Sequence, residues 1–389
     1  MSEPNTNYTG LTETKETLPA HHYFDPGHYE RELNAIWYRN WIYVGRSDSL
    51  EEPRAFRTIE IGTQNVLVVR DENGDLQAFH NTCRHRGSIL CTEHKGRLRS
   101  KSIICPYHNW SYSLQGDLLR TPSKQPQADF DKQKYPLYSV AVEEWNGFVF
   151  VNLAGDKAQS LSASFHAESA DLDNWPLESL KVGHSYRKTM NCNWKIFWEN
   201  FNECLHCPSV HPELSKLVPI YSRAFMEPKD DPEWEQHQSN TDPKFAGGLR
   251  EGAKTWTFDG QPVGKPFAGL TQQERDTAYH YVVNQPSIFI AAHIDYVRIV
   301  RLLPKGAGQT EIIAEWLFPE ETLADKSVDI EKVADFGKMV MEQDAKVSEI
   351  NQRGLRSIAH KRGVFMPEEY DVYNFQNWVR EQMHKSNQQ

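Results

Sequence analysis

Two short cysteine–histidine pairs constrain this 389-residue chain more than any other feature. Cys83-x-His85 and Cys105-x2-His108 lie about twenty residues apart, and each pair follows a predicted strand. Because neighbouring hairpin tips can bring two thiolates and two imidazoles to one point, the pairs predict a metal site. The ligand set suits a tetrahedral zinc ion, or a [2Fe–2S] centre in which two histidines replace two cysteines on one iron. Plain buried core residues are the remaining interpretation.

A second group of ligand-type residues follows a helix predicted from Asn193 to Leu205. On a helix, Glu203 and His206 are three residues apart and share a face. Pro208 is expected to end that helix just after His206, so that His211 reaches the same centre from the next turn. Two imidazoles with open positions beside them suit Fe(II) when one carboxylate completes a facial triad.

The missing carboxylate is expected from a long helix predicted over residues 328–353, where Asp344 falls on the apolar stripe. An acid on a buried face is costly without a partner, so a metal or a cation is implied. Simple hydrogen bonding of the histidines, and an Asp344 that reaches solvent, are the alternatives. Cys204 and Cys207, which surround the first histidine, are interpreted as plain buried thiols rather than a redox pair.

Along the chain, a helix is predicted from His28 to Arg39, followed by short β runs and then by a mixed pattern. This order predicts an all-β module, residues 42–155, joined to an α+β domain formed by residues 1–41 and 156–389. The irregular segment 219–269 is expected to shape a cavity entrance. The predicted strands are 58–61, 65–70, 76–79, 102–105, 148–152, 281–291, 296–303 and 310–318.

Charge and hydropathy exclude several classes of partner. The chain has 43 Lys plus Arg against 53 Asp plus Glu, a net charge of −10, which disfavours binding to nucleic acid or to anionic membranes. No apolar run approaches the ~18–20 residues of a transmembrane helix, and the N-terminus has no signal-peptide pattern. We therefore expect a cytoplasmic protein that uses its cysteines for metal rather than for disulfides.

The residues around the two pairs resemble the Rieske motif, including the downstream Gly116. Together with the second group, nearly the whole chain resembles the α subunit of Rieske non-haem iron oxygenases. The resemblance implies a β Rieske domain followed by a helix-grip catalytic domain. It also implies the following ligands: Cys83 and Cys105 on one iron of the cluster, His85 and His108 on the other, and His206, His211 and Asp344 on a mononuclear Fe(II).

By the same resemblance, Glu203 hydrogen-bonds His206 and His108 of the partner subunit, and so bridges the electron path in a homotrimeric ring. Ring hydroxylases usually have Asp at this position, whereas Glu resembles the subgroup that acts on carnitine, glycine betaine and stachydrine. No dinucleotide fingerprint follows a strand, so electrons from NAD(P)H are expected through a separate flavin- or ferredoxin-type reductase, with O2 as co-substrate.

The expected activity is N-demethylation or hydroxylation of a small quaternary ammonium compound. An aromatic-ring dioxygenase and a non-enzymatic, zinc-stabilised ligand-binding protein are the alternatives, and the sequence does not identify the substrate. Aromatic rings that can cage a cation, and two polar residues on a strand, are the candidate substrate contacts. They are Tyr221, Phe225, Trp256, Tyr279, Phe289 and Tyr296, with His293 and Asp295.

Overall fold

A computed structural model describes residues 8–165 and 167–386. The chain forms two compact units. One, here the β unit, comprises residues 36–165 and returns at Asn284–Ser287. The other, here the α+β unit, comprises the residues up to Ala35, those from Ala167 to Val283, and those from Ile288 on.

The β unit consists of three small antiparallel sheets, which agrees with the predicted all-β pattern. The sheets have the strand orders β4-β3-β2-β5, β1-β10-β9 and β6-β7-β8. Their apolar residues form a core, with Ile61, Val66 and Phe148 fully buried. The strands are β1 Ile42–Arg46, β2 Ala55–Ile61, β3 Gln64–Arg70, β4 Leu76–His80, β5 Lys95–Arg97, β6 Ile103–Ile104, β7 Ser111–Tyr112, β8 Leu118–Arg120, β9 Ala141–Trp145 and β10 Phe148–Asn152.

A five-stranded antiparallel sheet of order β11-β15-β14-β13-β12 forms the base of the α+β unit. The run predicted as one strand over 281–291 is two strands, β12 and β13, separated by a turn. The first strand, β11, was not predicted, because its lysines, arginine and threonine alternate with few apolar residues and one face stays in solvent. The strands are β11 Lys181–Met190, β12 Tyr279–Asn284, β13 Ile288–His293, β14 Val297–Gly306 and β15 Gln309–Phe318.

Eleven α-helices are formed by the residues described. They are α1 Pro26–Glu32, α2 Leu161–Ser164, α3 Trp194–Phe201, α4 Cys207–Val210, α5 Pro212–Leu217, α6 Trp234–His237, α7 Pro243–Ala246, α8 Gln272–Thr277, α9 Glu320–Ala324, α10 Glu331–Gly354 and α11 Tyr370–Ser386. A π-helical turn, Leu33–Trp37, continues α1. The segment 219–269 contains only α6, α7 and 3-10 turns among its loops. Among residues 8–165 and 167–386, every helix is too short or too polar to cross a lipid bilayer.

Helix α3 is anchored at its start by buried polar contacts. The Asn193 side chain accepts from the Lys195 backbone N–H and caps the helix. The Lys195 ammonium is fully buried and lies 2.6 Å from Glu32 Oε1, and the Trp194 indole donates to Glu32 Oε2 at 2.9 Å. Because a buried charge needs a close opposite charge, this pair fixes the N-terminal segment against α3.

The prediction that Glu203 and His206 share a helical face is wrong. Helix α3 ends at Phe201, and both residues lie in the turn that leads to α4. Pro208 does not end a helix; it lies in the first turn of α4, where a missing backbone N–H costs nothing. The residue His211 then separates α4 from α5.

The longest helix, α10, was predicted within about three residues at each end. It packs against α3, α4 and β11. Gly337 permits a close approach to the sheet, since a Cβ there would lie 2.8 Å from the Trp316 ring. This packing brings Asp344 over the turn that carries Glu203 and His206.

Candidate functional site

The two cysteine–histidine loops of the β unit have the same backbone design. In each, the cysteine carbonyl accepts from the residue four positions on, Gly87 at 2.9 Å and Asn109 at 3.0 Å. In each, the cysteine N–H donates to the carbonyl five positions on, at 2.8 Å. Gly87 and Asn109 both have positive φ, 76° and 53°, which the tight turn requires. Two equivalent turns therefore face each other with one cysteine at the base of each.

In these loops the cysteine thiols are buried, and the imidazoles lie nearer the surface. Cys83 and Cys105 are 3% and 1% exposed, whereas His85 is exposed and stacks on the Trp110 ring at 4.9 Å. Burial raises the pKa of the Cys83 thiol, the Tyr112 hydroxyl at 3.2 Å opposes this rise, and the adjacent Cys105 thiol adds to it. The His85 and His108 rings are 4.8 Å apart. The ligands thus form a buried sulfur pair and an outer nitrogen pair.

This arrangement fits a two-iron cluster better than a single ion. A tetrahedral zinc ion requires all four ligand atoms within about 4 Å of one another. Among the residues described, only His206, His211 and Asp344 form a group of three or more ligand atoms that all lie within 4.8 Å. The four residues of the loops do not form such a group, so their two pairs suit two separate irons, sulfur ligands on one and nitrogen ligands on the other.

In the α+β unit, His206, His211 and Asp344 converge. The Nε2 atoms of the two imidazoles are 3.2 Å apart, and Asp344 Oδ1 lies 2.8 Å from His211 Nε2 and 3.4 Å from His206 Nε2. Ligands about 2.1 Å from one metal ion lie about 3 Å from one another. The three atoms therefore have the spacing of a two-histidine, one-carboxylate metal site.

The outer nitrogens of both imidazoles are held by other side chains. His206 Nδ1 lies 2.5 Å from Glu203 Oε1, and His211 Nδ1 lies 2.8 Å from Gln343 Oε1. An acceptor at Nδ1 fixes a proton there, so Nε2 is the nitrogen that can bind a metal. Both imidazoles thus present Nε2 to the point where the three ligand atoms converge.

Charge compensation within this group shifts two pKa values. Burial lowers the pKa of His206, but hydrogen bonds to Asp344 and Glu203 outweigh it and raise the pKa to about 9. Burial likewise acts to raise the pKa of Asp344, while His206 and His211 hold it below its usual value. The carboxylate is therefore ionised, as a metal ligand must be.

A cavity adjoins the triad and has about 740 Å³ of empty space, counting its open mouth. Its wall is mainly aromatic and sulfur-containing. The lining includes Met190, Phe197, Phe201, Tyr221, Met226, Trp256, Tyr281, Phe289 and Arg298, together with Glu203, His206, His211 and Asp344.

Of the candidate substrate contacts, Tyr221, Trp256 and Phe289 line this cavity. Others lie behind the wall or away from it. Tyr279 packs on Trp256 at 5.4 Å, and Phe225 lies against Arg223.

Three further candidate contacts are enclosed in the core behind this wall. His293 is fully buried and stacks on Tyr296 at 4.3 Å. The Asp295 carboxylate is also fully buried and accepts from the Thr255 hydroxyl at 2.7 Å and the Val263 N–H at 2.9 Å. None of these three lines the cavity.

Sequence reasoning missed Tyr281, Arg298 and Gln343. Tyr281 shares a strand face with Tyr279, so period-2 alternation was a usable signal. Arg298 interrupts the apolar strand from Val297 to Leu303, and a charge in such a run indicates a functional position. Gln343 precedes Asp344 on α10 and gives no sequence signal.

The interpretation of Cys204 and Cys207 as plain thiols is wrong. The two sulfurs form a disulfide between residues three apart in sequence, and both residues line the cavity. The turn between α3 and α4 brings their Cα atoms to 4.9 Å, a spacing that suits a disulfide.

Comparison with known proteins agrees with both sites. The family model for the Rieske [2Fe-2S] domain matches residues 40–136, and that for the ring hydroxylating alpha subunit (catalytic domain) matches residues 177–385. The [2Fe–2S] interpretation of the paired loops is therefore confirmed over zinc. The catalytic domain of this family carries a mononuclear non-haem iron.

Named relatives extend over almost the whole chain. The glycine betaine monooxygenase oxygenase subunit of Chromohalobacter salexigens is 30% identical over 94% of this chain and 86% of its own length. The chloroplastic choline monooxygenase of Beta vulgaris is 26% identical over 94% of this chain and 76% of its own.

A solved structure shares the fold. The quaternary ammonium Rieske monooxygenase CntA, in complex with its substrate gamma-butyrobetaine, superposes with a TM-score of 0.72. The alignment covers 95% of this chain and 96% of CntA at 22% identity. From the two paired loops, the triad and these matches, the chain belongs to the Rieske non-haem iron oxygenases, as an oxygenase α subunit.

Proposed function

We propose that this chain is the terminal oxygenase of a monooxygenase that N-demethylates or hydroxylates a small quaternary ammonium compound. The aromatic cavity beside the triad carries the proposal. Phe201, Tyr221 and Tyr281 present rings to a space that the ionised Asp344 also lines. Aromatic faces and a nearby carboxylate favour an ammonium ion that is too substituted to donate hydrogen bonds. The named relatives, which act on glycine betaine and choline, support the same substrate class.

In this proposal the metal ligands are those implied by the motifs. Cys83, His85, Cys105 and His108 hold the [2Fe–2S] cluster, and His206, His211 and Asp344 hold Fe(II). When bound, the two centres supply electrons and activated O2 for oxidation of a C–H bond beside nitrogen.

The side chains of the chain position these groups and the substrate. Glu203 and Gln343 hold the two imidazoles with Nε2 turned inward. The aromatic wall binds the ammonium head and excludes water around it, so that an N-methyl group lies at the triad. A methyl group hydroxylated there is lost as formaldehyde, which leaves the demethylated amine.

Glu203 is proposed to link the two centres between subunits of a homotrimer. Its Oε1 is occupied by His206, and its Oε2 accepts from the Leu205 N–H at 2.5 Å, so the carboxylate is fixed. Glu203 and His206 line both the substrate cavity and a second cavity. A separate NAD(P)H-dependent reductase and a cytoplasmic location complete the proposal.

A substrate screen tests it. The iron-loaded protein, a Rieske-type reductase and NADH are supplied with glycine betaine, carnitine, stachydrine, choline and naphthalene, and formaldehyde and O2 uptake are measured. We expect formaldehyde in proportion to O2 with at least one trimethylammonium compound. A dihydrodiol from naphthalene, with no formaldehyde from any ammonium compound, would establish a ring dioxygenase instead.

A matched pair of variants then tests the aromatic wall. Tyr221→Leu removes a ring from the cavity, and Tyr221→Phe keeps the ring and removes only the hydroxyl. Since a cation–π contact contributes about 0.5–2 kcal/mol, we expect Tyr221→Leu to raise KM for the ammonium substrate about 10-fold. Tyr221→Phe should stay within about twofold of wild type. Equal KM values for the two variants would contradict an ammonium site at this ring.

A further inference from the structure

A buried arginine lines the substrate cavity without an acidic partner. Arg298, on β14, is 5% exposed and shares the cavity with Asp344. Its Nε atom is buried and makes no hydrogen bond, and no carboxylate among residues 8–165 and 167–386 forms an ion pair with it. By contrast, the buried Lys195 of this unit has the Glu32 carboxylate at 2.6 Å.

Aromatic rings and a glycine position this guanidinium. Its central carbon lies 5.9 Å from the Trp256 ring and 5.8 Å from the Phe289 ring, on the same cavity wall. Gly337 of α10 leaves the room that the guanidinium needs, since a Cβ there would lie 3.1 Å from Arg298 Nη1. The side chain is therefore fixed by neighbours that carry no negative charge, and the Tyr281 hydroxyl, which also interacts with the guanidinium, is one of them.

Such a group needs an anion from elsewhere. A buried charge without a partner is costly, and a guanidinium offers a planar pair of N–H donors that matches a carboxylate. We propose that Arg298 binds the carboxylate of the substrate, so that the enzyme takes carboxylate-bearing ammonium compounds rather than simple cations. This inference rests on the proposed function and narrows its substrate class.

The charges of the cavity support a zwitterion over a cation. A simple cation such as choline would bring a second positive charge next to the unpaired Arg298. A betaine brings no net charge, and it can place its carboxylate at Arg298 and its ammonium against the remaining rings.

Calorimetric binding to the iron-loaded protein without O2 tests the proposal. Glycine betaine is compared with its amide, which has the same shape and no negative charge, and with choline. Benzoate tests a carboxylate without ammonium. The variants are Arg298→Met, which keeps the bulk of the side chain, and Arg298→Lys, which keeps the charge without the planar donors. Arg187→Met, a surface change at the ion pair with Glu311, is the control.

We expect wild type and Arg187→Met to bind glycine betaine about 10- to 100-fold more tightly than its amide or choline. In Arg298→Met the difference should fall to within about threefold, and Arg298→Lys should be intermediate. Retained cluster absorption and iron content would show that the variants are folded.

Two results would overturn the inference. One is a wild-type protein that binds the amide or choline as tightly as glycine betaine, which requires no variant. The other is an Arg298→Met protein that keeps the preference. Formaldehyde release from betaine and choline alike would reject this inference and leave the proposed function intact. Arg298-dependent binding of benzoate alone would support the carboxylate site and reject the ammonium substrate class.

Discussion

The two candidate metal centres are built in opposite ways. The ligands of the β unit lie within 26 residues, from Cys83 to His108, on two turns of the same backbone design. Those of the α+β unit come from a turn and from a helix, and His211 and Asp344 are 133 residues apart in sequence. The first centre depends on local hydrogen bonds, and the second depends on how α10 packs.

Burial differs between them as well. The paired loops bury sulfur and leave imidazole outside, an arrangement that suits electron transfer to an external partner. The triad buries His211, compensates its acid with two imidazoles and adjoins a cavity. The centre suited to electron transfer is therefore built from one short segment of the chain. The centre that must also enclose a substrate is built from segments that are distant in sequence.

The largest expected effect comes from removing one ligand from each centre in turn. Cys105→Ser should remove the whole cluster, so iron falls from about three to about one per chain. Asp344→Ala should leave about two irons, all in the cluster. Each of these two substitutions should reduce turnover to background. Metal analysis together with visible absorption distinguishes the two variants. If Cys105→Ser also empties the mononuclear site, the two centres are not independent.

The pH dependence of stability tests the helix that leads into the triad. Burial raises the pKa of Glu199 on α3 to about 7, although Tyr23, Gln376 and Lys195 act to lower it. A raised carboxyl pKa gives stability that is full below the unfolded value of 4.5 and is lost as pH rises through about 7. Ionisation of Glu199 should therefore lower the free energy of unfolding by about 2–3 kcal/mol between pH 5 and pH 8.

Glu199→Gln removes the titrating group and keeps an oxygen that can accept from the Tyr23 hydroxyl. In the wild-type protein this hydroxyl lies 2.6 Å from Glu199 Oε1. The free energy of unfolding of the variant relative to wild type should therefore increase from pH 5 to pH 8. Denaturant titrations of the full chain at several pH values measure it. A constant difference across that range would mean that Glu199 is ionised throughout in the folded protein.

Removal of the side chain that orients His211 is expected to have the next largest effect. Gln343→Leu removes the acceptor at Nδ1, and loss of such a contact typically weakens metal binding about 10- to 100-fold. Chelator competition measures iron affinity, and the cluster should be unaffected. Lys346→Leu, at an exposed position of the same helix, is the control. Unchanged affinity in Gln343→Leu would show that packing alone orients His211.

Glycine substitutions in α10 give the smallest expected effect. Gly337→Ala would press a methyl group against Trp316, and overpacking should cost about 1–2 kcal/mol after the gain in helix propensity. Gly354→Ala meets no atom within 4 Å and should be neutral or slightly stabilising. Thermal unfolding of the two variants compares them, and equal melting temperatures would show that the α10–sheet contact is adaptable.

The sequence predicted the local parts of this molecule well. Strands, paired loops and the long helix follow from alternation, spacing and an apolar stripe. It failed where neighbours distant in sequence decide the outcome. Helix α3 ends at Phe201, Pro208 begins a helix rather than ending one, and Cys204 and Cys207 meet across a turn. Gln343 and Arg298 acquire their roles only when α10 covers the sheet.

The separation of His211 from Asp344 has a mechanical consequence. Strands β12 to β15 lie between them in sequence, so a bound iron is a cross-link that closes a loop around four of the five strands. Any ligand that binds only the folded state stabilises it by RT ln(1 + [L]/Kd). We therefore expect iron loading to protect the α+β unit against proteolysis, as well as to make it able to react.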